Sequence, residues 1–515
     1  MQKGVVDFIT LGCSKNLVDA ERVMRQLEAA GWRCVHDPEE PKGEVCVINT
    51  CGFIGDAKEE SINMILQMAE RKKKGKLRKL IVMGCLSERY RAELEEELPE
   101  VDEYFGKFDF LKIVESLKLK VERSRLVEST KVESSRVESC KWIERKLTTP
   151  GHYAYLKISE GCNRMCSYCA IPLITGRHTS RPMEEILDEV RWLVSQGVKE
   201  INVIAQDLSS YGLDLKPTPD IVLRPSTGRS IEQSSSPVKG REKNRQHLLP
   251  ELIDRMAQIE GVEWIRLHYA YPTDFPEELL EVMARHANVC KYLDIALQHC
   301  TDHMLGLMRR HITRAEQDAL IRKIREQVPG ICIRTTLLVG HPGETEEDFE
   351  ELKQWVQEMR FDRMGCFAYS DEEGTYANKH YQDDIPQDIK DARVQELMAI
   401  QQQISGGLMA EKVGTTQRVI IDREEGEYFI GRTQYDSPEV DCEVLIPIHN
   451  SQFTIHNAQF TMHNAQGTMH NAQCTMHIGE FVDVKITKAE EFDLYGEVID
   501  NSQFTIHNSQ CTIHN

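Results

Sequence analysis

The sequence predicts an α/β protein in three parts: an N-terminal parallel α/β domain, a partial (β/α)6 barrel and a small C-terminal antiparallel β-barrel. Three observations predict it. A unit of apolar strand, cysteine and amphipathic helix occurs three times near the start, six apolar strand segments alternate with helical ones further on, and short glycine-punctuated strands fill the last part. A chain of 515 residues has room for several such parts, because single hydrophobic cores seldom grow past roughly 250–300 residues.

Within residues 1–118, VVDFITLGC leads into NLVDAERVMRQLEAAG, VCVINTC into AKEESINMILQMAERKKKG, and LIVMGC into ERYRAELEEEL. Strand and helix alternating at this length imply a parallel sheet with helices on its faces. Ligands of such sheets sit at the carboxyl ends of the strands. Cys13, Cys51 and Cys85 all occupy that position, so three residues far apart in the chain are expected to converge on one edge. Residues 119–150, with VERSR, LVESTK, VESSR and VESC in succession, read as a charged linker without chemistry of its own.

From 151 to 405 the strands are YAYLKIS, EINVIAQD, EWIRLHY, YLDIALQH, ICIRTTLLVG and RMGCFAY, separated by helical segments such as LLPELIDRMAQIEG and EEDFEELKQWVQEM. Six parallel strands curved into a partial barrel would gather function at their carboxyl ends. Residues 216–247 interrupt the series with a polar stretch lacking periodicity, which reads as a disordered surface insertion. The span 412–500 is strand-rich and reads as the small barrel. Heptads of the form N-[SA]-Q-x-T-[IM]-H split it at 449–478, and two more make the tail 501–515. A helix would set His456, His463, His470 and His477 ~10 Å apart, too far to share an ion. The repeat is read as a tolerated hairpin-loop insertion.

Acidic residues outnumber basic ones, 83 to 63, giving a net charge of −20. That balance disfavours a general phosphate-binding surface, since nucleic-acid affinity rests on Lys and Arg. It suits a basic protein partner or serves solubility alone. In the last part Asp422, Glu424, Glu425, Glu427, Asp436, Glu439, Asp441 and Glu443 face few basic residues. The opening segment lacks a signal-peptide pattern, and no stretch approaches the ~20 apolar residues a membrane span needs. The expected location is therefore cytoplasmic, where thiols stay reduced and clustered cysteines point to metal or catalysis.

The stretch GCNRMCSYCA carries Cys162, Cys166 and Cys169 as CxxxCxxC directly after the first barrel strand. Zinc and iron–sulfur cubes normally take four protein ligands. Three cysteines in one loop therefore fit either a cube with one iron left open for a small molecule, or a zinc knuckle completed by a distant residue. The three cysteines of the first part pose the same question, with buried structural thiols as the plain alternative.

This loop resembles that of the radical S-adenosylmethionine enzymes. The resemblance implies a 4Fe-4S cluster whose open iron is chelated by S-adenosylmethionine. One electron would then cleave that molecule to methionine and a 5′-deoxyadenosyl radical. It implies cofactor contacts at Tyr168, at Ala205, Gln206 and Asp207 after the second barrel strand, and at Gly340 in LLVGHPGET. LGCSKNLVDAE, INTCGFI and VMGCL, with Cys13, Cys51 and Cys85, resemble the methylthiotransferase family, which implies a second 4Fe-4S cluster on those three residues. The domain order of that family matches as well, its small barrel being called TRAM.

LGCSKNLVDAE, YAYLKISEGCN, RLHYAYP, YLDIALQH, RTTLLVGHPGET and GRTQYDSPEVD resemble the branch that acts on an aspartate of the twelfth small-subunit ribosomal protein. That resemblance implies β-methylthiolation of the aspartate with two S-adenosylmethionine molecules. It also implies an external electron donor, a sulfur source and a basic protein substrate, met free or in the ribosome. The alternative within the family is a tRNA adenosine methylthiotransferase. A noncatalytic iron–sulfur carrier is the alternative of another class. Neither membrane nor stable nucleic-acid binding is expected. The other cysteines are given no role and most of them are expected in the core, with Cys300 placed where it could approach the cavity.

Overall fold

The computed structural model describes residues 4–124, 144–215, 247–448 and 476–499, with four short strands between 453 and 474. Most of the linker, the insertion apart from His247, the histidines at 456, 463 and 470, and the tail lie outside the described residues.

The first sheet holds β1 (Val5–Thr10), β2 (Arg33–His36), β3 (Val45–Thr50), β4 (Lys79–Gly84) and β5 (Glu103–Tyr104), all parallel, in the order β2-β1-β3-β4-β5. Sequence periodicity marks only β1, β3 and β4. The edge strands β2 and β5, of four and two residues, are too short to display an alternation. Alternate residues leave opposite faces of the sheet. Val6, Phe8 and Val47 pack under helices Ser14–Ala29 and Phe110–Ser124, while Ile48, Leu80 and Val82 pack under Gly55–Lys73. The helix expected over ERYRAELEEEL is two, Cys85–Arg89 and Arg91–Glu97, broken at Tyr90. Strand order reverses direction between β1 and β3, the switch point where ligands of doubly wound sheets bind. Register pairs Thr10 with Asn49 and Thr50 with Gly84, so the three carboxyl ends finish level.

The second domain carries β6 (Tyr153–Lys157), β7 (Ser159–Glu160), β8 (Thr179–Ser180), β9 (Glu200–Ile204), β10 (Trp264–Ala270), β11 (Val289–Ile295), β12 (Cys332–Val339) and β13 (Arg363–Ala368). Six of these form an open parallel sheet in the order β13-β12-β11-β10-β9-β6, as the strand pattern predicts, and β7 pairs with β8 apart from it. Ile201, Val203, Ile265, Leu267, Leu293 and Ile333 pack outward under the helices in one core. Alternating with them, Glu200, Arg266 and Tyr292 face the third domain.

That domain is a closed barrel built from β14 (Thr416–Glu425), β15 (Tyr428–Thr433) and β16 (Glu443–Pro447). The heptads follow as β17 (Phe453–Ile455), β18 (Ala458–Met462), β19 (Ala465–Met469) and β20 (Ala472–Cys474), in two antiparallel pairs. The barrel is completed by β21 (Phe481–Ala489) and β22 (Asp493–Val498), antiparallel throughout except between β16 and β22. Val419, Ile421, Val444, Val484 and Leu494 fill it, and the heptad segment leaves and returns without opening it.

Buried ion pairs hold the domains together. Glu200 takes Arg266 at 2.9 Å and Arg432 at 2.7 Å, and Arg363 meets Asp436 at 2.5 Å. Several acidic residues of the last part are partners in these contacts and do not lie free on its surface. Asp422 is engaged by Arg432 and His152, Asp436 by Arg363, and Asp441 by Tyr292 and Arg334. Glu424, Glu425 and Glu427 remain exposed. The linker also has a structural part: Arg145 is buried between Glu21 of the first domain at 2.5 Å and Glu189 of the second at 3.1 Å. Among the described residues no helix is long and apolar enough to cross a membrane.

Candidate active site

The β7–β8 pair clamps the neck of the loop that carries Cys162, Cys166 and Cys169, matching Ser159 to Ser180 and Glu160 to Thr179. Gly161 stands in that neck at φ +73°, where a Cβ would lie 2.2 Å from the Arg177 carbonyl oxygen. Ser167 fixes the loop to the barrel. Its N–H donates to Met308 O at 3.0 Å, its carbonyl accepts from Ala377 N at 2.7 Å, and its hydroxyl meets His341 Nε2 at 2.9 Å. Around the sulfurs stand donors: Arg164 N at 3.3 Å from Cys162 Sγ, and Arg310 Nη1 at 3.3 Å and Tyr271 Oη at 3.4 Å from Cys166 Sγ. Burial, with Asp207 and Cys166 nearby, pushes the Cys162 thiol up to about 12. Cys169 is raised further by burial and by Cys166 and Cys162. Three thiols within mutual Coulomb reach, in a half-buried loop with N–H and O–H donors at two of its sulfurs, suit a cationic cluster that displaces their protons.

The other three cysteines gather around one side chain. Asn16 donates through Nδ2 to Leu11 O at 3.0 Å and Thr50 O at 3.1 Å, and its Oδ1 faces Cys85 Sγ at 3.5 Å. It thereby ties together the segments preceding Cys13 and Cys51 and the cysteine opening helix Cys85–Arg89. Gly12, at φ +88°, lets Cys51 come close; a Cβ there would lie 2.8 Å from Cys51 Cβ. Burial and the neighbouring Cys13 and Cys51 raise Cys85 to about 12 despite Lys107. Burial likewise raises Cys51. Cys13 differs: it is exposed at the surface, desolvation raises it, and Lys15, Lys107 and the backbone N–H groups of Asn16 and Lys15 together outweigh that and hold it below its ordinary value.

A chain of buried charges joins the two sets. Lys107 meets Asp19 at 3.3 Å, Asp19 also meets Lys157, Lys157 meets Glu160, and Glu160 accepts from Gln206 Nε2 at 3.0 Å. Glu160 directly precedes Gly161 and Cys162. Burial would raise its carboxyl, yet Lys157 and Lys107 pull it down to about 2. Sequence reasoning missed this chain, along with Asn16 and Arg310. Asn16, Lys157 and Glu160 do lie inside the quoted stretches LGCSKNLVDAE and YLKISEGCN, whereas Lys107 in FGKFDF carries no local signal.

The expected cofactor contacts divide. Tyr168 lies in the loop with its hydroxyl 3.4 Å from Arg310 Nη1. Gln206 reaches Glu160, and Asp207 is held under the loop by Arg164 at 2.8 Å and Ser210 at 2.5 Å. Ala205, directly before them and directly after β9, is fully buried in the barrel core. Gly340 packs against Lys390 and donates its N–H to Glu344 at 2.6 Å, while its neighbour His341 is the residue that contacts the loop. Cys300 is a core residue with no exposure, and Cys34, Cys46, Cys290, Cys332, Cys366 and Cys442 are buried too. Among the described residues no three His, Cys, Asp or Glu side chains stand close enough to grip a single metal ion. Cube ligands each take a different iron and so stand wider apart. A cavity of about 430 Å³ opens beside Cys13, walled by Tyr155, Tyr269 and Arg334 of the second domain and Glu439 of the third.

Family profiles match the three parts in turn: Uncharacterized protein family UPF0004 over residues 5–106, the Radical SAM superfamily over 156–356 and the TRAM domain over 413–499. The chain is 54% identical to ribosomal protein uS12 methylthiotransferase RimO of Phocaeicola vulgatus, across 97% of this chain and 100% of that protein. Against the protein of that name from Bacteroides fragilis strain YCH46 the identity is 55%, with the same coverage. Against that of Flavobacterium johnsoniae it is 47%, across 96% of this chain and 98% of the relative.

Proposed function

Since this chain belongs to the ribosomal protein uS12 methylthiotransferase family, we propose that it adds a methylthio group to the β-carbon of an aspartate of uS12, with its six gathered cysteines holding two iron–sulfur clusters. It is a radical S-adenosylmethionine enzyme. The relatives named above carry the uS12 reading and not the tRNA one.

Cys162, Cys166 and Cys169 would hold one 4Fe-4S cluster and Cys13, Cys51 and Cys85 the other, each leaving one iron without a protein donor. When bound, these groups and two S-adenosylmethionine molecules supply the hydrogen-abstracting radical and the methylthio group. The protein's part is placement. Arg310 and Tyr271 orient Cys166 and present N–H and O–H to its sulfur. Glu160, kept ionised by Lys157 and oriented by Gln206, is a carboxylate at the loop neck suited to a methionine ammonium. Tyr168, Asp207 and the turn at Gly340 would shape the surroundings of that ligand, with Ala205 buried directly after the strand that leads to Gln206 and Asp207. Closing two reactive centres around one substrate side chain converts an encounter of separate molecules into a positioned reaction. An external reductant and sulfur source belong to this reading, and no stable nucleic-acid partner does.

The observation that carries it is the buried chain from Lys107 to Gln206, which fixes the two cysteine sets to each other across a domain boundary. The test is anaerobic reconstitution, incubation with uS12, S-adenosylmethionine and a reductant, and mass spectrometry of the product. One methylthio group on one aspartate is expected. Methylthio-adenosine in tRNA beside unmodified uS12 would reject it.

A further inference from the structure

We propose that Lys15 is the carboxylate-binding residue of the site, holding the side chain of the aspartate under attack; the inference rests on the function proposed above. Lys15 follows Cys13 by two positions, in the first turn of helix Ser14–Ala29, and is only 8% exposed. Its ammonium lies 3.2 Å from the centre of the Tyr269 ring, and among the described residues it makes no ion pair or hydrogen bond. The neighbouring buried lysines differ: Lys107 is paired with Asp19, and Lys157 with Asp19 and Glu160. A buried ammonium without an anion is costly, and an aromatic face compensates only part of that. The anions nearest Lys15, the Cys13 thiolate and the Asp294 carboxylate, attract it without a direct ion pair, so the hydrogen-bond donors of its ammonium stay unfilled.

Tyr269 is itself in an unusual conformation. Its φ of +65° is the left-handed region, held by its N–H donating to Asp294 Oδ2 at 3.2 Å. Such strain concentrates where a side chain must be aimed; here it presents the ring to Lys15. Tyr269 and Cys13 both line the 430 Å³ cavity at the meeting of the three domains. Arg334, the other cation of that wall, is already matched by Asp441 at 3.3 Å and Asp294 at 3.7 Å. Glu439 and Asp37 on the same wall disfavour a multiply charged phosphate. A single carboxylate fits. Held by Lys15, an aspartate would turn its adjacent β-carbon toward the cavity beside Cys13.

The same carboxylate chemistry exists in the methionine part of S-adenosylmethionine, so the test has two arms. Full-length, anaerobically reconstituted enzyme is titrated with a fluorescent uS12 peptide carrying the target aspartate, with the same peptide carrying asparagine there, and with S-adenosylmethionine. Wild type should prefer the aspartate peptide by about tenfold or more, as a hydrogen bond to a charged group requires. Lys15→Met and Lys15→Gln should bring that ratio near one while Lys15→Arg keeps most of it, in preparations matched for iron content and visible absorption. An unchanged ratio in Lys15→Met and Lys15→Gln, or weakened S-adenosylmethionine binding with the ratio intact, would overturn the proposal. Wild type that binds neither peptide and leaves uS12 unmodified would remove the function, and this inference with it.

Discussion

Cys162, Cys166 and Cys169 hang from one loop pinched at its neck by two residue pairs, whereas Cys13, Cys51 and Cys85 arrive from three strands and meet only because the sheet's register finishes level. The first set is specified locally. The second is specified by topology, with Asn16 as its local lock. The difference teaches that a loop site should survive damage to the fold around it better than a sheet site, while both depend on the joint that places them face to face.

The harshest way to break the comparison is at that joint. Arg145→Met takes from Glu21 its cation, leaving it only the two bonds from Thr148, while Glu189 keeps Arg181 and Arg22; it should cost about 3 kcal/mol of stability. Urea denaturation should show this with both cysteine sets affected. Asn16→Ala is more selective. It leaves two buried carbonyls without their donor, so about 2–4 kcal/mol should be lost, with iron lost from the sheet site first. Iron analysis of the purified variant checks that order.

Acid should weaken the loop side. His341 Nδ1 faces the Pro342 carbonyl and so carries the hydrogen, leaving Nε2 to accept from Ser167, and burial holds the ring's pKa down to about 4. The unfolded ring titrates near 6.5. Its contribution is therefore present above that value and drains away as pH falls toward 4, about 2 kcal/mol between pH 7 and 5. Denaturation at the two pH values should show the loss, and His341→Gln should flatten it. The smallest changes separate the sites most cleanly. Gly12→Ala and Gly161→Ala each force an alanine to positive φ, costing at least about 1–2 kcal/mol. The first should deplete the sheet cluster and the second the loop cluster, which electron paramagnetic resonance can distinguish.

Legibility in the sequence followed the same division. CxxxCxxC is visible at a glance, and the six barrel strands announce themselves by apolar runs bounded by helices. The sheet triad required the inference that three strand ends converge. What stayed hidden was long-range: β2 and β5 are too short for periodicity, and Arg145 sat in a stretch whose composition reads as solvent-exposed linker. Asp422, Asp436 and Asp441 likewise looked like surface acidity, because a charged residue paired across a domain boundary, as these are with His152, Arg363 and Tyr292, leaves no local pattern. Lys15 and Asn16 stood inside a quoted stretch, but only the packing shows Lys15 buried over the Tyr269 ring and Asn16 tying two strand ends together.

The central claim is that each set of three cysteines carries its own cluster with one open iron. Iron counting with Mössbauer spectroscopy on anaerobic protein tests it most directly, comparing wild type with Cys13, Cys51 and Cys85 all changed to alanine and with Cys162, Cys166 and Cys169 all changed. Wild type should hold roughly eight irons per chain, and each triple variant should keep about half, in the spectrum of a single 4Fe-4S cluster. Zinc in place of iron, a wild type with only one cluster, or a triple variant that keeps the full complement would contradict it.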